Sequence, residues 1–351
     1  MAQYRDGGWQ IGQGTVGTPR AAARGCAGRA RHSSSEQSQL RGVRASGSGY
    51  AGFVAAWIPE LKSLLALPRG RQWDALQRLR AGARAPEVHE AWNTAFADGS
   101  LFDAWTGSSL MRQLYAANAS LLDELLVDGD RVLEIGAGDG RLWRAVNPHW
   151  RGELVVIDPI AQACGQVGAA VHGGVSVQAV EGRIEQVELP AASGAVCSLT
   201  LHHVAGWDAA QRAQAGMNGP GKLEVLRRIR EACNGGWLIL NEADVHCDLT
   251  LAAGSEVLRD HLFDSYVRRA ARALAADVES EEDEDLRNRL LAVIWHWCLE
   301  QVDLADVPVA DRDVYELDTA HWLELLHEAG YRDISHRYTD DAHLFCQYLA
   351  R

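Results

Sequence analysis

Residues 131–141 read Arg131-Val-Leu-Glu-Ile-Gly-Ala-Gly-Asp-Gly-Arg141, a short apolar strand that runs into three alternate glycines and then into a helical pattern. Gly136 and Gly138 let the backbone pass close to a ligand, because a Cβ would occupy that space. A strand, turn and helix of this kind can bind a dinucleotide or another adenosyl cofactor. The spacing here is GxGxG followed by Arg141, so the third glycine of GxGxxG is missing. Glu134 stands inside the strand, two places before the first glycine. The loop alone leaves both cofactors open, and the strands that follow it choose between them.

Downstream, short apolar segments alternate with helical ones. Strands are expected at Val132–Ile135, Leu154–Ile157, Val175–Val180, Val196–Leu201 and Trp237–Leu240. Helices are expected near Leu142–Val146, Ala161–Ala170 and Leu223–Cys233, the last closed by Asn234-Gly235. That alternation predicts a parallel sheet with helices on both faces. Ligands bind such sheets at the carboxyl ends of the strands. The second strand ends in Asp158-Pro159, where the acid can accept both ribose hydroxyls or, alternatively, cap the next helix. The third leads to Gly182-Arg183-Ile184, the fourth ends in Thr200-Leu-His202-His203, and the fifth runs on to Glu242, Asp244 and His246.

Set in this order, the residues resemble class I S-adenosylmethionine-dependent methyltransferases, motif by motif over roughly 112–248 and in pattern over 322–349. The resemblance implies S-adenosyl-L-methionine as cofactor. It implies that Glu134, Gly136, Gly138 and Gly140 contact the methionine part, and that Asp158, followed by Pro159, binds the ribose. Gly182, Arg183 and Ile184 fall at the adenine loop. An acid often follows that glycine in the family, and here it is Arg183, so adenine recognition is expected from backbone groups with Ile184 packed on the ring. Thr200, at the end of the fourth strand, completes the expected cofactor-binding set. The implied fold is α/β: a Rossmann-like seven-stranded sheet with an antiparallel last strand, N-terminal helices, and a helical cap inserted after strand five. Tyr331–Tyr338 and His343–Leu349, on either side of Thr339-Asp340-Asp341, look like the closing hairpin, which a nicotinamide dehydrogenase would not predict.

The carboxyl ends of strands four and five are rich in titratable groups. His202 and His203 close the fourth, and Glu242, Asp244 and His246 follow the fifth. A neutral histidine there can take a proton from a hydroxyl, thiol or amine, or from a carbon beside a carbonyl. His203, His202 and His246 are therefore the catalytic candidates; in the bland reading one packs under the cofactor and another caps a helix. A second chemistry would gather His203, Asp244, His246 and the distant His296 into a two-histidine, one-carboxylate metal site. Some methyltransferases acting at the carbon beside an α-keto acid use a metal in this way. The expectation is a free base and no metal. A non-catalytic adenosyl-binding protein and an NAD-dependent dehydrogenase are rival readings of the same glycine loop. Trp92, Trp105, Trp295 and Trp297 flank this region in sequence and suit either a lid over a small organic acceptor or a core.

The chain has 351 residues, 47% apolar and 23% charged, which excludes wholesale disorder. A net charge of -13 repels phosphate backbones and argues against nucleic acid as a partner. No run of eighteen apolar residues occurs, so no membrane span is expected. Seven cysteines without a CxxC pair read as reduced thiols of a cytoplasmic protein. Residues 1–50 lack an apolar period and are expected to be a disordered tail. Residues 51–126 form an N-terminal helical region and 127–351 the methyltransferase domain, with 251–317 as the cap insertion. Lys62 and Lys222 are the only lysines beside many arginines, which reads as coding bias without chemical meaning.

Overall fold

The computed structural model describes residues 67, 68, 71, 74, 75, 100–204, 220–244, 255–262, 268–294 and 317–351. Helices α1 (Ser100–Thr106) and α2 (Ser109–Leu125) lead into the sheet. Then follow β1 (Arg131–Ile135), α3 (Arg141–Ala145), β2 (Glu153–Asp158), α4 (Ala161–Ala170), β3 (Ser176–Glu181) and β4 (Gly194–Ser198). Next come α5 (Pro220–Cys233), β5 (Trp237–Ala243), α6 (Glu256–Leu262), α7 (Arg268–Ser280) and a helical stretch over 284–294. The chain closes with α8 (Thr319–Glu328), β6 (Ile334–Thr339) and β7 (Phe345–Ala350).

The seven strands make one sheet in the order β3-β2-β1-β4-β5-β7-β6. The first five pair in parallel, and β7 runs antiparallel to both β5 and β6. Strand order reverses at β1, which puts the ligand crevice at the carboxyl ends of β1 and β4. Both faces are covered, which is why the central strands are almost wholly apolar. Leu133, Ile135, Val155, Ile157, Leu238 and Leu240 pack towards α5, α8 and the first half of α2. Val132, Leu154, Val156, Val196 and Ile239 pack towards α3, α4 and the second half of α2. Glu134 shares the second side, so a carboxyl group lies where the sheet is otherwise hydrocarbon, at 3% exposure.

The helices between β5 and α8 join the first of these cores. Leu258, Leu262, Leu274, Val278 and Leu290 cluster with Trp105, Leu110 and Met111. Asp277 of α7 accepts the Ser109 amide at 2.8 Å, adding a cap from the inserted helices to the Ser108 hydroxyl at the start of α2. Trp105 packs edge-on against Phe345 at 6.1 Å and is 4% exposed, a core residue. The acidic run over 279–285 spans the end of α7 and the start of the next helix, where Asp283 caps the amides of Asp285 and Leu286.

Several boundaries differ from expectation for local reasons. β4 ends at Ser198 rather than Leu201, so the two histidines stand beyond the sheet in a 3-10 turn, Leu201–His203. Leu199 has φ +50, and the Thr200 and Leu201 amides turn to the Glu242 carboxylate instead of a strand partner. α8 starts three residues before Trp322 because Asp318 caps it through the His321 amide. In the hairpin, the buried carboxylate of Asp340 collects the amides of Ala342, Leu344 and Phe345, which delays β7 to Phe345. The expected tail over 1–50, and Trp92, His246, Trp295, His296 and Trp297, lie outside the described residues. Among the described residues no helix is long and apolar enough to cross a membrane.

Candidate active site

The glycine loop is shaped by three left-handed residues, Gly136 (φ +76), Gly138 (φ +57) and Gly140 (φ +72). Each glycine answers to a different neighbour. A Cβ on Gly136 would sit 1.9 Å from Thr200 Oγ1, so the missing side chain makes room for Thr200 in the first place. One on Gly140 would meet the α4 backbone at Val167 Cα, 2.9 Å away. Only Gly138 is open, with Phe102 of α1 at 3.4 Å as its nearest neighbour. Thr200 Oγ1 in turn donates to the carbonyls of Ile135 and Ser198, tying the ends of β1 and β4 together.

Around this loop lies a set of acids. Glu134 Oε2 is buried and makes no hydrogen bond of good geometry among the described residues, and burial pushes its carboxyl well above the usual carboxylate range, against the pull of the nearby Trp143 indole. Asp139 is held on three sides: by the Thr106 hydroxyl (2.9 Å), the Arg141 amide (3.1 Å) and the Arg141 guanidinium (2.6 Å). Arg141 also reaches Asp103 at 3.4 Å. α1 is thereby latched onto the loop through Thr106 and Asp103. In the sequence Asp139 passes for a spacer between glycines; an acid two places before a helical arginine is the signal that marks it. Burial raises the hydroxyl of Tyr115 in α2, and the nearby charges of Asp139 and Glu134 raise it further.

Asp158 closes the adjoining side at the end of β2. It is 7% exposed and accepts the Ala137 amide at 3.0 Å and the Ile160 amide at 2.8 Å. Burial raises its carboxyl, and those amides pull it back down. The helix-capping and loop-bracing roles are thus both present in one side chain. Pro159 and Ile160 follow it on the surface, Ile160 at 43% exposure. In the next loop, Gly182 donates to the Asp158 carbonyl and Arg183 pairs with Glu185 at 3.3 Å. Ile184 is 5% exposed and packs in the core, which leaves little of it to meet a ring.

The histidine turn is built on Glu242, which is fully buried in β5. Its Oε1 accepts the amides of Thr200 (3.0 Å) and Leu201 (2.6 Å), and its Oε2 pairs with His202 Nδ1 at 2.8 Å. Burial raises Glu242 to about 7, against the pull of those amides and of Lys222. His202 is 4% exposed; His203, its ring centroid 4.1 Å away, is more open. Asp244 is directed elsewhere, to the hydroxyl of Thr319 at the start of α8. Among the described residues no group of three or more His, Cys, Asp or Glu side chains could hold a metal ion. His246 and His296, which the metal arrangement would need, lie outside the described residues.

A family model described as "Methyltransferase domain" matches residues 109–336. The chain belongs to this family. The methyltransferase is similar in fold to a possible exported protein from Bordetella parapertussis, at 15% identity, covering 85% of this chain and 96% of that one, with a TM-score of 0.45. It is similar also to N,N-8-amino-8-demethyl-D-riboflavin dimethyltransferase from Streptomyces davawensis (15% identity, 78% and 61% covered, TM-score 0.40). A third is the N-methyltransferase NodS from Bradyrhizobium japonicum with S-adenosyl-L-homocysteine (14% identity, 70% and 88% covered, TM-score 0.38). No curated protein matches the chain by sequence. The enzyme is an S-adenosylmethionine-dependent methyltransferase. Its residues fit that cofactor: Glu134 Oε2 is a buried oxygen without a well-formed hydrogen bond among the described residues, and the cofactor carries an ammonium group.

Proposed function

We propose that the enzyme methylates a small organic acceptor and that His203 removes the acceptor's proton. The observation that carries this reading is the His202–Glu242 pair at 2.8 Å. A carboxylate at Nδ1 fixes the ring of His202 in one orientation, and His203 lies against that fixed ring, tilted 48° to it, at the carboxyl end of β4. His202 is closed in and positions; His203 is the more open of the two and so the better placed to meet an acceptor.

S-adenosylmethionine supplies an electrophilic methyl group on sulfur. Glu134, with the backbone of Gly136, Gly138 and Gly140, would hold its methionine part, and Asp158 its ribose. The Gly182–Arg183 backbone would border the adenine, with exposed Ile160 as an apolar surface in place of Ile184. In-line transfer from a sulfonium asks the protein for little beyond alignment, exclusion of water and removal of one proton. The net charge of -13 supports a small acceptor over nucleic acid. Cys164, Cys197, Cys233 and Cys346, all buried and unbridged, support a cytoplasmic protein.

Incubation with methyl-labelled S-adenosylmethionine and a pool of small metabolites, followed by mass analysis, tests the acceptor class. On the acceptor so found, His203→Gln is expected to lower turnover by about 10²–10⁴, with unchanged affinity for S-adenosylhomocysteine. Undiminished turnover removes His203 as the base.

A further inference from the structure

Lys222 is one of two lysines in a chain whose other basic side chains are arginines, and it is completely buried. An ammonium in that position is costly, since a hydrocarbon of similar size would fill the space without losing water. Lys222 sits in the first turn of α5, and its Nζ donates to the carbonyl of Val204. Val204 ends the same turn whose other end, Thr200 and Leu201, is held by Glu242. Two buried opposite charges from two elements therefore grip five consecutive residues, Thr200–Val204, with both histidines between them.

Glu242 has two ways to meet His202 Nδ1. As a carboxylate it accepts a proton-bearing Nδ1; as a carboxylic acid it donates to a bare one, and the imidazole then carries its proton on Nε2. Burial favours the acid, and the positive charge of Lys222 opposes it. Lys222 is itself lowered to about 7 by burial, with Glu242 and Glu185 acting to keep it charged. Among the described residues, Cys197 of β4 and Cys346 of β7 also feel the charge of Glu242, and His203 lies beside His202 on the turn. Both thiols are raised by burial and stay protonated at neutral pH, and Cys346 donates to the Glu242 carbonyl at 3.4 Å.

We infer that Lys222 is a positioning residue: it fastens the Val204 end of the histidine turn and keeps Glu242 an acceptor towards His202 Nδ1, so that the two rings are presented in one orientation and one tautomer. An arginine would not replace it readily, being larger and planar where a compact ammonium points at a single carbonyl. The relevance of this device to methyl transfer rests on the reading that His203 is the base.

The test is long-range 1H–15N NMR of the full-length protein labelled at histidine, with His202→Gln used for assignment. Wild type at pH 7.5 is expected to show His202 protonated at Nδ1. Lys222→Met is expected to show it protonated at Nε2, with affinity for S-adenosylhomocysteine within about threefold of wild type, since Lys222 Nζ bonds Val204, at the opposite end of the turn from Thr200, which packs on the glycine loop. A Lys222→Met protein that retains the Nδ1-protonated form overturns the inference. If that variant does not fold, the wild type supplies a second measurement, because two lysines labelled at Cε give two signals. The Lys222 signal is expected to move together with that of His202 across roughly pH 6–8, around the value of about 7 shared by Lys222 and Glu242. Independent movement of the two signals overturns it equally. Failure of the base reading shows up elsewhere, as undiminished methylation by His203→Gln, and leaves the tautomer result standing.

Discussion

Replacing Gly136 by alanine would set a Cβ 1.9 Å from Thr200 Oγ1 and 2.8 Å from Thr200 Cβ and Cγ2, at a backbone φ of +76. Two penalties add. The left-handed conformation costs a residue with a Cβ about 1 kcal/mol or somewhat more. Forcing an extra methyl into a packed position costs about 1–3 kcal/mol, because Thr200 is itself tied to Ile135 and Ser198 and cannot simply turn away. The sum is about 3 kcal/mol, which for a domain of this size is a fall in Tm of about 6–12 °C. Thermal unfolding followed by circular dichroism measures it. Thr200→Gly in the same chain separates the parts: it removes the steric penalty and leaves the backbone one, so the two substitutions should be non-additive by about 2 kcal/mol. Simple additivity would refute the claim that Gly136 is required by Thr200, and would return the position to a purely ligand-facing role.

Asp158→Ala leaves the buried amides of Ala137 and Ile160 without their acceptor, and should weaken binding of S-adenosylhomocysteine by about 1.5–3 kcal/mol in calorimetry. Unchanged affinity would show that the loop is braced without it. Glu242 is raised by burial to about 7 from 4.5, so it favours the folded state in its protonated form. That contribution is complete below about pH 4.5 and is lost as pH rises through about 7. Relative to Glu242→Gln, the wild type should therefore lose Tm between pH 4.5 and pH 7, and a constant difference contradicts the assignment. Because Asp244 is engaged by Thr319, EDTA should leave methylation unchanged and purified protein should carry no stoichiometric metal, which elemental analysis decides.

The sheet and its glycine loop are legible in the sequence because their signals are local. Apolar runs of strand length, a Gly-rich turn after Glu134 and an acid after Ile157 depend on neighbours in the chain. Ala161–Ala170 forms a helix at those residues, and the closing hairpin forms around Asp340. The histidine turn reads as part of β4 because its conformation is dictated by Glu242, some forty residues onward, which takes two of its amides. Asp139 and Thr106 meet across thirty-three residues, a pairing with no periodic trace. Lys222 reads as mere composition, since nothing in a sequence distinguishes a buried ammonium from a solvated one. Ile184 shows the reverse problem: its position in the adenine loop suggests a ligand contact, and packing claims it for the core.

The place of β7 has a consequence for how the chain acquires this structure. It follows the other six strands of the sheet in the chain, yet it lies between β5 and β6 and supplies hydrogen bonds to both, its pairs with β5 running from Leu238–Ala350 at one end to Ala243–Phe345 at the other. During synthesis β5, which carries Glu242, waits with one edge bare until 345–350 leave the ribosome, more than a hundred residues later. The parallel half can assemble early, but the exposed edge of β5 is open to pairing with any extended segment that arrives first. Loss of β7 would bare one edge of β5 and leave β6 without a partner, so termination of the chain before Phe345 should yield aggregated protein rather than a slightly shorter enzyme.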